Sequence, residues 1–599
     1  MIQYPRFVVV LFLALVSLAV SARAQHDAAA APLAAPISIF SRDSGAGQPS
    51  ATVGEQQAMR DLDDIARLRK AGVRTEYDLM DASWFAPESG YRTLRPGGWP
   101  NGPDAWLASC RAQDIRPGIR IGGNAIAAQT PSDRIPAAWK DSLGDDGRSL
   151  SLFEGGYLSD LMSALQSWYD RGVRLFDFDS IDLGAATPAA AGKLGPAEIA
   201  SRNAAAFRQA LQAFGDKNPE AVLLVSTLPG TDAHLAASLL ASANAAGQNP
   251  AHTRSIQLGA FTLVSTGALS QPQSLQTDFS RTLDIEGDEF VRRLEQSGVA
   301  LAQIESSGFT ASGDADAGMH AWKGPFLLSM ARGGWVNSLH GDLSLIRNDD
   351  ARWMARVQRL FLDLQQRGHL RSFGGAAGSG QPYGFAASSP RGSVYVVVNP
   401  GQASAALALP AVGPRQFNQA KGRVQFSDVG FTPRLTGSSI VLGPGQMAMV
   451  GYGAFAGSVF DFGVERDVII PRDVKPVEAN FYSTETGALV ASFEPPIDGV
   501  VRLILRPRAS GGKASLDPDF DSGGLGNNAA QAVTLDATQY GRPIPVRLDN
   551  GNRLQHGIGW MVGEIDVDDL TPGVPLVVQF HSSNSDMASL EASAYAVEY

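Results

Sequence analysis

Two hydrophobic periodicities alternate along residues 37–368. Short, mostly apolar runs read as strands: ISIF (37–40), VRTEYDLMD (73–81), RPGIRI (116–121), VRLFDFDSIDL (173–183), AVLLVSTLPG (221–230), VALAQIE (299–305) and WVNSLHGD (335–342). Between them apolar side chains recur every three or four positions, the spacing of one helix face. These helical segments are QQAMRDLDDIARLRKAG (56–72), DAWLASCRAQ (104–113), YLSDLMSALQSWYDRG (157–172), IASRNAAAFRQALQAFG (199–215), DEFVRRLEQSG (288–298), MHAWKGPFLLSMARGG (319–334) and ARWMARVQRLFLDLQQRG (351–368). Most close on a glycine, as helix ends commonly do. Repeated strand–helix units predict a parallel sheet under a helical layer, and their number favours a (β/α)8 TIM barrel over 37–368. Its sixth strand falls within 247–284, where several apolar runs compete.

After Gly368 the helical period stops. YGFAASSPRGSVYVVVNPG, GRVQFSDVGF and SSIVLGPGQMAMVGYG are short strands divided by Gly, Pro and Asn, which predicts an antiparallel β-sandwich at 369–455. Residues 456–599 are again strand-like (VVRLILRPR, VPLVVQFHSS, LEASAYAVEY). They predict a second sandwich that could bind carbohydrate, with Tyr540 and Trp560 as its aromatic candidates. The expected fold class is α/β, a barrel followed by two antiparallel sandwiches.

At the amino terminus Arg6 precedes an unbroken apolar segment, FVVVLFLALVSLAV (7–20), and Ala22 and Ala24 then supply small residues. This is the pattern of a secretory signal peptide over 1–24, with 25–36 as a disordered tether. The apolar run is too short to span a bilayer. A secreted or periplasmic protein, with no membrane attachment after cleavage, is expected.

Composition narrows the partners. The 599 residues carry 49 Lys and Arg against 60 Asp and Glu, a net charge of −11, with no cationic run. Nucleic acid and anionic membrane are therefore poor partners, and neutral ligands fit better. Cys110 is the only cysteine, so it reads as a core thiol and a large apolar core must hold the fold. The acids of Asp517-Pro518-Asp519-Phe520-Asp521 alternate as in a calcium loop, but Ser522 stands where the turn glycine belongs, and a solvated turn is expected. No metal site and no cofactor fingerprint is predicted.

The chemistry lies in the strand ends. A strand buried on both faces should be nearly all apolar. Yet the fourth strand carries Asp177 and Asp179, with Asp182 after them, and the second ends Met80-Asp81-Ala82-Ser83-Trp84. Acids there are costly unless they stand at the carboxyl-end mouth of a barrel, where substrate and water arrive. Simple turn caps are the plainer explanation for each of them. Several acids with Trp84 to stack on a flat face fit a sugar pocket. Two carboxylates about 5–5.5 Å apart would suit a retaining glycosidase.

An ordered series of motifs extends this reading. YDLMDASWFAPESGYRTLRPGGWPNGPDAWLASCRAQDIRPGIRI resembles a signature of the α-galactosidase-like glycoside hydrolases of families 27 and 36. In that signature a D-[DA]-G-W strand end leads through a P-x-G stretch and a helix to a G-[LI]-[KR]-x-G-I strand. GVRLFDFDSIDL looks like their G-V-D-x-x-K-x-D strand, VLLVSTLPG like their fifth strand, and SRTLDIEGDEF like their W-R-x-x-x-D-I stretch. With the leader pattern, the resemblance implies an exported protein that is a retaining glycosidase for α-linked galactose-like sugars, with an oligo- or polysaccharide substrate. It makes Asp179 the nucleophile and Asp284 the acid/base. Asp81, Trp84, Asp177, Ser226 and Arg281 become substrate-binding residues.

The chain also departs from that pattern. Asp177 replaces a lysine that contacts sugar hydroxyls, Arg281 lies one residue nearer Asp284, and Pro229 replaces a tryptophan. Glu305 and Asp314 are reserves for the acid/base. His340 reads equally as a hydrogen-bonded rim histidine or a substrate contact, and His320 as structural. A non-catalytic carbohydrate-binding protein on a lapsed glycosidase barrel is the alternative.

Overall fold

The structure is a computed structural model. It describes residues 36–42, 54–124, 135–145, 147–227, 305–311, 319–334, 336–367, 369–375, 380–412, 421–468, 471–507, 533–547, 561–582 and 590–599, with Asp288, Val291, Arg292, Glu295 and Met587. The expected leader, the sixth-strand region 247–284, the acidic run 517–521 and Trp560 lie outside these residues. Among the described residues no helix is long and apolar enough to cross a membrane.

Among the described residues seven parallel strands form one sheet: β1 (Ile37–Ser41), β2 (Tyr77–Met80), β3 (Arg116–Ile121), β4 (Leu175–Ile181), β5 (Val222–Thr227), β6 (Glu305–Ala311) and β7 (Val336–Gly341). Their order is β5-β4-β3-β2-β1-β7-β6, so β7 returns to lie beside β1 as in a barrel wall. Helices α1 (Glu55–Lys70), α2 (Asp104–Ala112), α3 (Tyr157–Asp170), α4 (Pro196–Lys217), α5 (Lys323–Arg332) and α6 (Asn348–Arg367) accompany the strands. Their apolar stripes are what the spacing predicts; in α1, Ala58, Leu62, Ile65 and Leu68 are buried. Asp61 is buried in that same stripe because Arg42, just past β1, donates to both its oxygens from Nε at 2.8 and 2.7 Å. Cys110 is buried in the core, as expected.

The strand read at 299–305 meets the described residues only at Glu305, which opens β6 (Glu305–Ala311); 299–304 lie outside them. The β6 sequence, ESSGFTA, looks like a turn, yet the register with β7 shifts between Ser306 and Phe309. Gly308 lies there at φ 72°, where an added Cβ would fall 1.9 Å from the Ser338 carbonyl oxygen. Only glycine fits so close an approach. The expectation for His320 is corrected: it precedes α5 instead of lying on it, because Ala321 at φ 51° cannot continue a helix. His320 stands 3.6 Å from Asp467.

Beyond the barrel, a six-stranded sheet is built from His369–Gly374, Tyr383–Ser389, Gly392–Val398, Arg423–Asp428, Met447–Gly453 and Gly463–Glu465. The last of these carries the sheet past position 455. Along Gly392–Val398, Val394, Val396 and Val398 join the barrel core with Phe326 and Phe361. The alternate Tyr395 and Val397 face Leu407, Ile440 and Leu442 of a three-stranded sheet. Both faces are dry, which explains an unbroken SVYVVV where alternation would otherwise appear.

A second sandwich follows. A four-stranded sheet around Leu590–Glu598 faces a five-stranded sheet around Leu576–Ser582 across a separate core of Leu503, Leu505, Val578 and Phe580. Tyr540 is exposed in the turn between Val533–Gln539 and Arg542–Ile544. The whole is the expected class: a parallel α/β barrel followed by two antiparallel sandwiches.

One acid faces the helical layer of the barrel. Asp78 of β2 is buried against α2 and accepts a 2.7 Å hydrogen bond from Trp106 Nε1. Burial pushes its carboxyl up to about 7, against the smaller opposing effect of that hydrogen bond. A carboxyl raised by folding destabilises the native state as pH climbs, since the unfolded chain ionises first. Relative to Asp78→Asn, the wild type should lose stability on the order of 3–4 kcal/mol between pH 4 and 7 and little more above about pH 8. Thermal unfolding of both proteins across this range checks it, and parallel profiles would contradict it.

Candidate active site

Strand β4 sets the site. Phe176 and Phe178 pack edge-to-face on Phe214 and Phe207 of α4, at ring separations of 5.3 and 5.4 Å, so the even positions face the helices. Leu175 and Asp177 therefore lie on the inner side of the wall. The register aligns Leu79 of β2, Gly118 of β3 and Leu175 of β4 in one row. A side chain on Gly118 would meet Leu175 Cδ2 at 2.9 Å, so that apolar layer closes only around glycine. Two residues further toward the carboxyl ends, the next row is charged: Asp81, Arg120 and Asp177.

Arg120 binds this row together. Its Nε donates to Asp177 Oδ2 at 2.8 Å, and its Nη1 lies 3.6 Å from Asp81 Oδ2. Asp177 is only 8% exposed, and a carboxylate so buried must be paired. Asp81 is more open, its side chain 27% exposed. Its other oxygen accepts from the Ser83 backbone N–H at 2.8 Å, so Asp81 also caps the loop leaving β2, as the plainer reading expected.

Two buried asparagines clamp the exit of β4. Asn124, just past β3, donates to the carbonyls of Leu150 and Asp182 at 2.7 and 2.9 Å and accepts from the Asp182 N–H at 2.7 Å. Asn203 of α4 donates to the carbonyls of Leu183 and Ala185 at 2.8 and 2.7 Å. Asp182 turns the chain locally by accepting from Gly184 N–H at 2.8 Å.

The expected site residues distribute as follows. Asp81 and Asp177 meet at the mouth through Arg120. Asp179 lies on β4 two positions beyond Asp177 and three before the Asp182 that Asn124 holds, and Ser226 is on β5 near its carboxyl end. Trp84 ends a short 3-10 turn after Asp81, but its ring is a core element, 7% exposed and 5.3 Å from Trp99. His340 occupies the carboxyl end of β7, half-buried and in register with Ser41 and Thr310. Glu305 is corrected: it heads β6 at the amino end, beside Val336, at the opposite end of the barrel from the mouth. Asp284, Arg281 and Asp314 lie outside the described residues. The residue that sequence reasoning missed is Arg120. The signal was available, since a cation inside the buried strand RPGIRI requires an anionic partner.

No family model matches the chain, and no curated protein sequence matches it. Solved structures do. An α-galactosidase of glycoside hydrolase family 36 from Geobacillus stearothermophilus, solved with stachyose, is 11% identical over 69% of this chain and 55% of that chain, at a TM-score of 0.45. The α-galactosidase of Lactobacillus brevis is 10% identical over 70% and 55%, at a TM-score of 0.47. A trehalose-6-phosphate hydrolase from Bacillus licheniformis is 9% identical over 70% and 99%, at 0.40. The match thus spans about half the length of the α-galactosidases.

The clamp at the β4 exit can be tested directly. Asn124→Ala removes three hydrogen bonds and strands their buried backbone partners, so it should cost about 2–4 kcal/mol. Urea denaturation followed by tryptophan fluorescence reads this, and a loss under about 1 kcal/mol would show the clamp to be dispensable.

Proposed function

We propose that this chain is an exported retaining glycoside hydrolase acting on α-linked galactose-like sugars. One observation carries the reading. Asp81 and Asp177 stand in one charged row at the carboxyl-end mouth of a parallel barrel, with Asp179 next along β4 toward the same mouth. That end is where barrel enzymes assemble their chemistry. The leader-like sequence at 1–24 motivates export, and the ordered motif resemblance motivates the sugar class.

In this mechanism Asp179 stays ionised and attacks the anomeric carbon, while Asp284 protonates the departing glycosidic oxygen. A covalent glycosyl-aspartate forms. Asp284, now ionised, takes a proton from water, which attacks the same carbon and releases the sugar with its configuration retained. Asp284 must hold its proton at working pH while Asp179 does not, so their surroundings must push their pKa values apart. Asp81 accepts from sugar hydroxyls, Trp84 forms the packed wall behind it, and Ser226 and Arg281 complete the pocket. A specific observation favours the second reading, a sugar-binding protein without turnover: position 177 carries an acid bound to Arg120 where the resembled family carries a lysine.

The test is nitrophenol release from aryl α- and β-glycosides of galactose, N-acetylgalactosamine, arabinopyranose and glucose. One α-glycoside should be hydrolysed with retention, and Asp179→Asn should lower kcat about 1,000-fold or more while sugar binding persists. Substantial turnover in that variant would remove Asp179 from the chemistry. A folded wild type that binds sugar but hydrolyses none of the panel would favour the binding protein.

A further inference from the structure

We infer that Arg120 is a cation that contacts the sugar, and that Asp177 is the positioning residue that aims it. The inference rests on the glycosidase reading and changes the part Asp177 plays in it. A polyhydroxylated ligand needs acceptors for its O–H groups and donors for its oxygen lone pairs. Asp81 and Asp177 supply acceptors alone. Arg120 is the cation in their row, and a guanidinium is the side chain that donates several hydrogen bonds in one plane.

Geometry divides the labour between the two acids. Asp177 pairs with Arg120 in the register of adjacent strands, and its Oδ2 takes the Nε–H at 2.8 Å. That is a charge-assisted hydrogen bond of ordinary length. It is made at the base of the guanidinium, where it fixes the plane of the fork. The Asp177 side chain is 11% exposed and that of Arg120 15%, against 27% for Asp81, so Asp177 is the most withdrawn of the three. Asp81 lies 3.6 Å from Nη1, beyond hydrogen-bond length, so this pair attracts without binding closely. Asp81 is also the more exposed of the two acids. The site therefore presents an open acceptor and, beside it, a cation held in one orientation before the ligand arrives. Such pre-organisation lowers the entropic cost of binding.

The experiment is a double-mutant cycle on the aryl glycoside that the wild type hydrolyses, using Arg120→Met, Asp177→Ala and the double variant. Arg120→Lys and Asp177→Asn are the conservative partners. Arg120→Met and Asp177→Ala should each lower kcat/KM about 10- to 100-fold, and the double variant should lose little more than either. Asp177→Asn keeps an acceptor for Nε–H and should recover most of the activity at unchanged Tm, which a purely structural role would not produce. Arg120→Lys keeps the charge without the fork and should recover part.

In an Asp179→Asn background, the rise in Tm on adding the free sugar should vanish with Arg120→Met. If Arg120→Met fails to fold, the double variant and Arg120→Lys still read the effect. An active wild type with Arg120 variants within about threefold of it, or losses that multiply in the double variant, would overturn this assignment alone. A wild type that neither hydrolyses nor binds any of the sugars would overturn the glycosidase reading and this inference with it.

Discussion

The placement of Asp177 at the barrel mouth depends on the pleat of β4. Side chains alternate along a strand, so one residue of slippage would exchange its two faces. Phe176 and Phe178, each edge-on to a phenylalanine of α4, hold that parity. With it slipped, Asp177 would enter the helical layer, far from Arg120, as an unpaired buried charge. Aromatic packing on the outside of the wall thus determines which chemistry appears on the inside. Asp78 shows what an acid in the helical layer entails: it needs the Trp106 indole, and burial holds its proton near neutrality.

Most of this architecture could be read from the chain, because apolar strands and helix stripes repeat with periods that only a few packings satisfy. RPGIRI was found at its observed bounds, and the helix ends fell within a few residues of their glycines. What escaped reading involved partners distant in sequence. Arg120 and Asp177 are 57 residues apart, so neither residue's neighbourhood reveals the pair. The strand ESSGFTA was hidden because its glycine is needed by the Ser338 backbone across the sheet, a demand with no local trace. Trp84 read as a stacking face because sequence shows its proximity to Asp81 but not the ring of Trp99 against it. The acids of β4 were legible for the opposite reason: charges in an otherwise apolar strand are conspicuous wherever their partners lie.

The mouth also shows how a fold keeps charge at the edge of a dry interior. The row of Leu79, Gly118 and Leu175 lies one layer below Asp81, Arg120 and Asp177. In the upper row the charged groups balance one another while facing the solvent side. The two asparagines then fix the β4 exit without adding charge, so the backbone there is held by neutral hydrogen bonds that pH does not alter.

The strand Gly392–Val398 at the centre of the six-stranded sheet is covered on both faces, one by the barrel core and the other by the partner sheet. In lineage terms the barrel and this sheet cannot be traded separately. A recombination that cut the gene near position 368 would bare Phe326, Phe361 and the valines of Gly392–Val398 at once. The second sandwich has a core of its own and reaches the first through contacts such as Arg502 Nη1 to Gln402 Oε1 at 2.5 Å. It is therefore the portion of this chain that evolution can exchange as cargo, while the barrel and the sheet beside it descend as one piece.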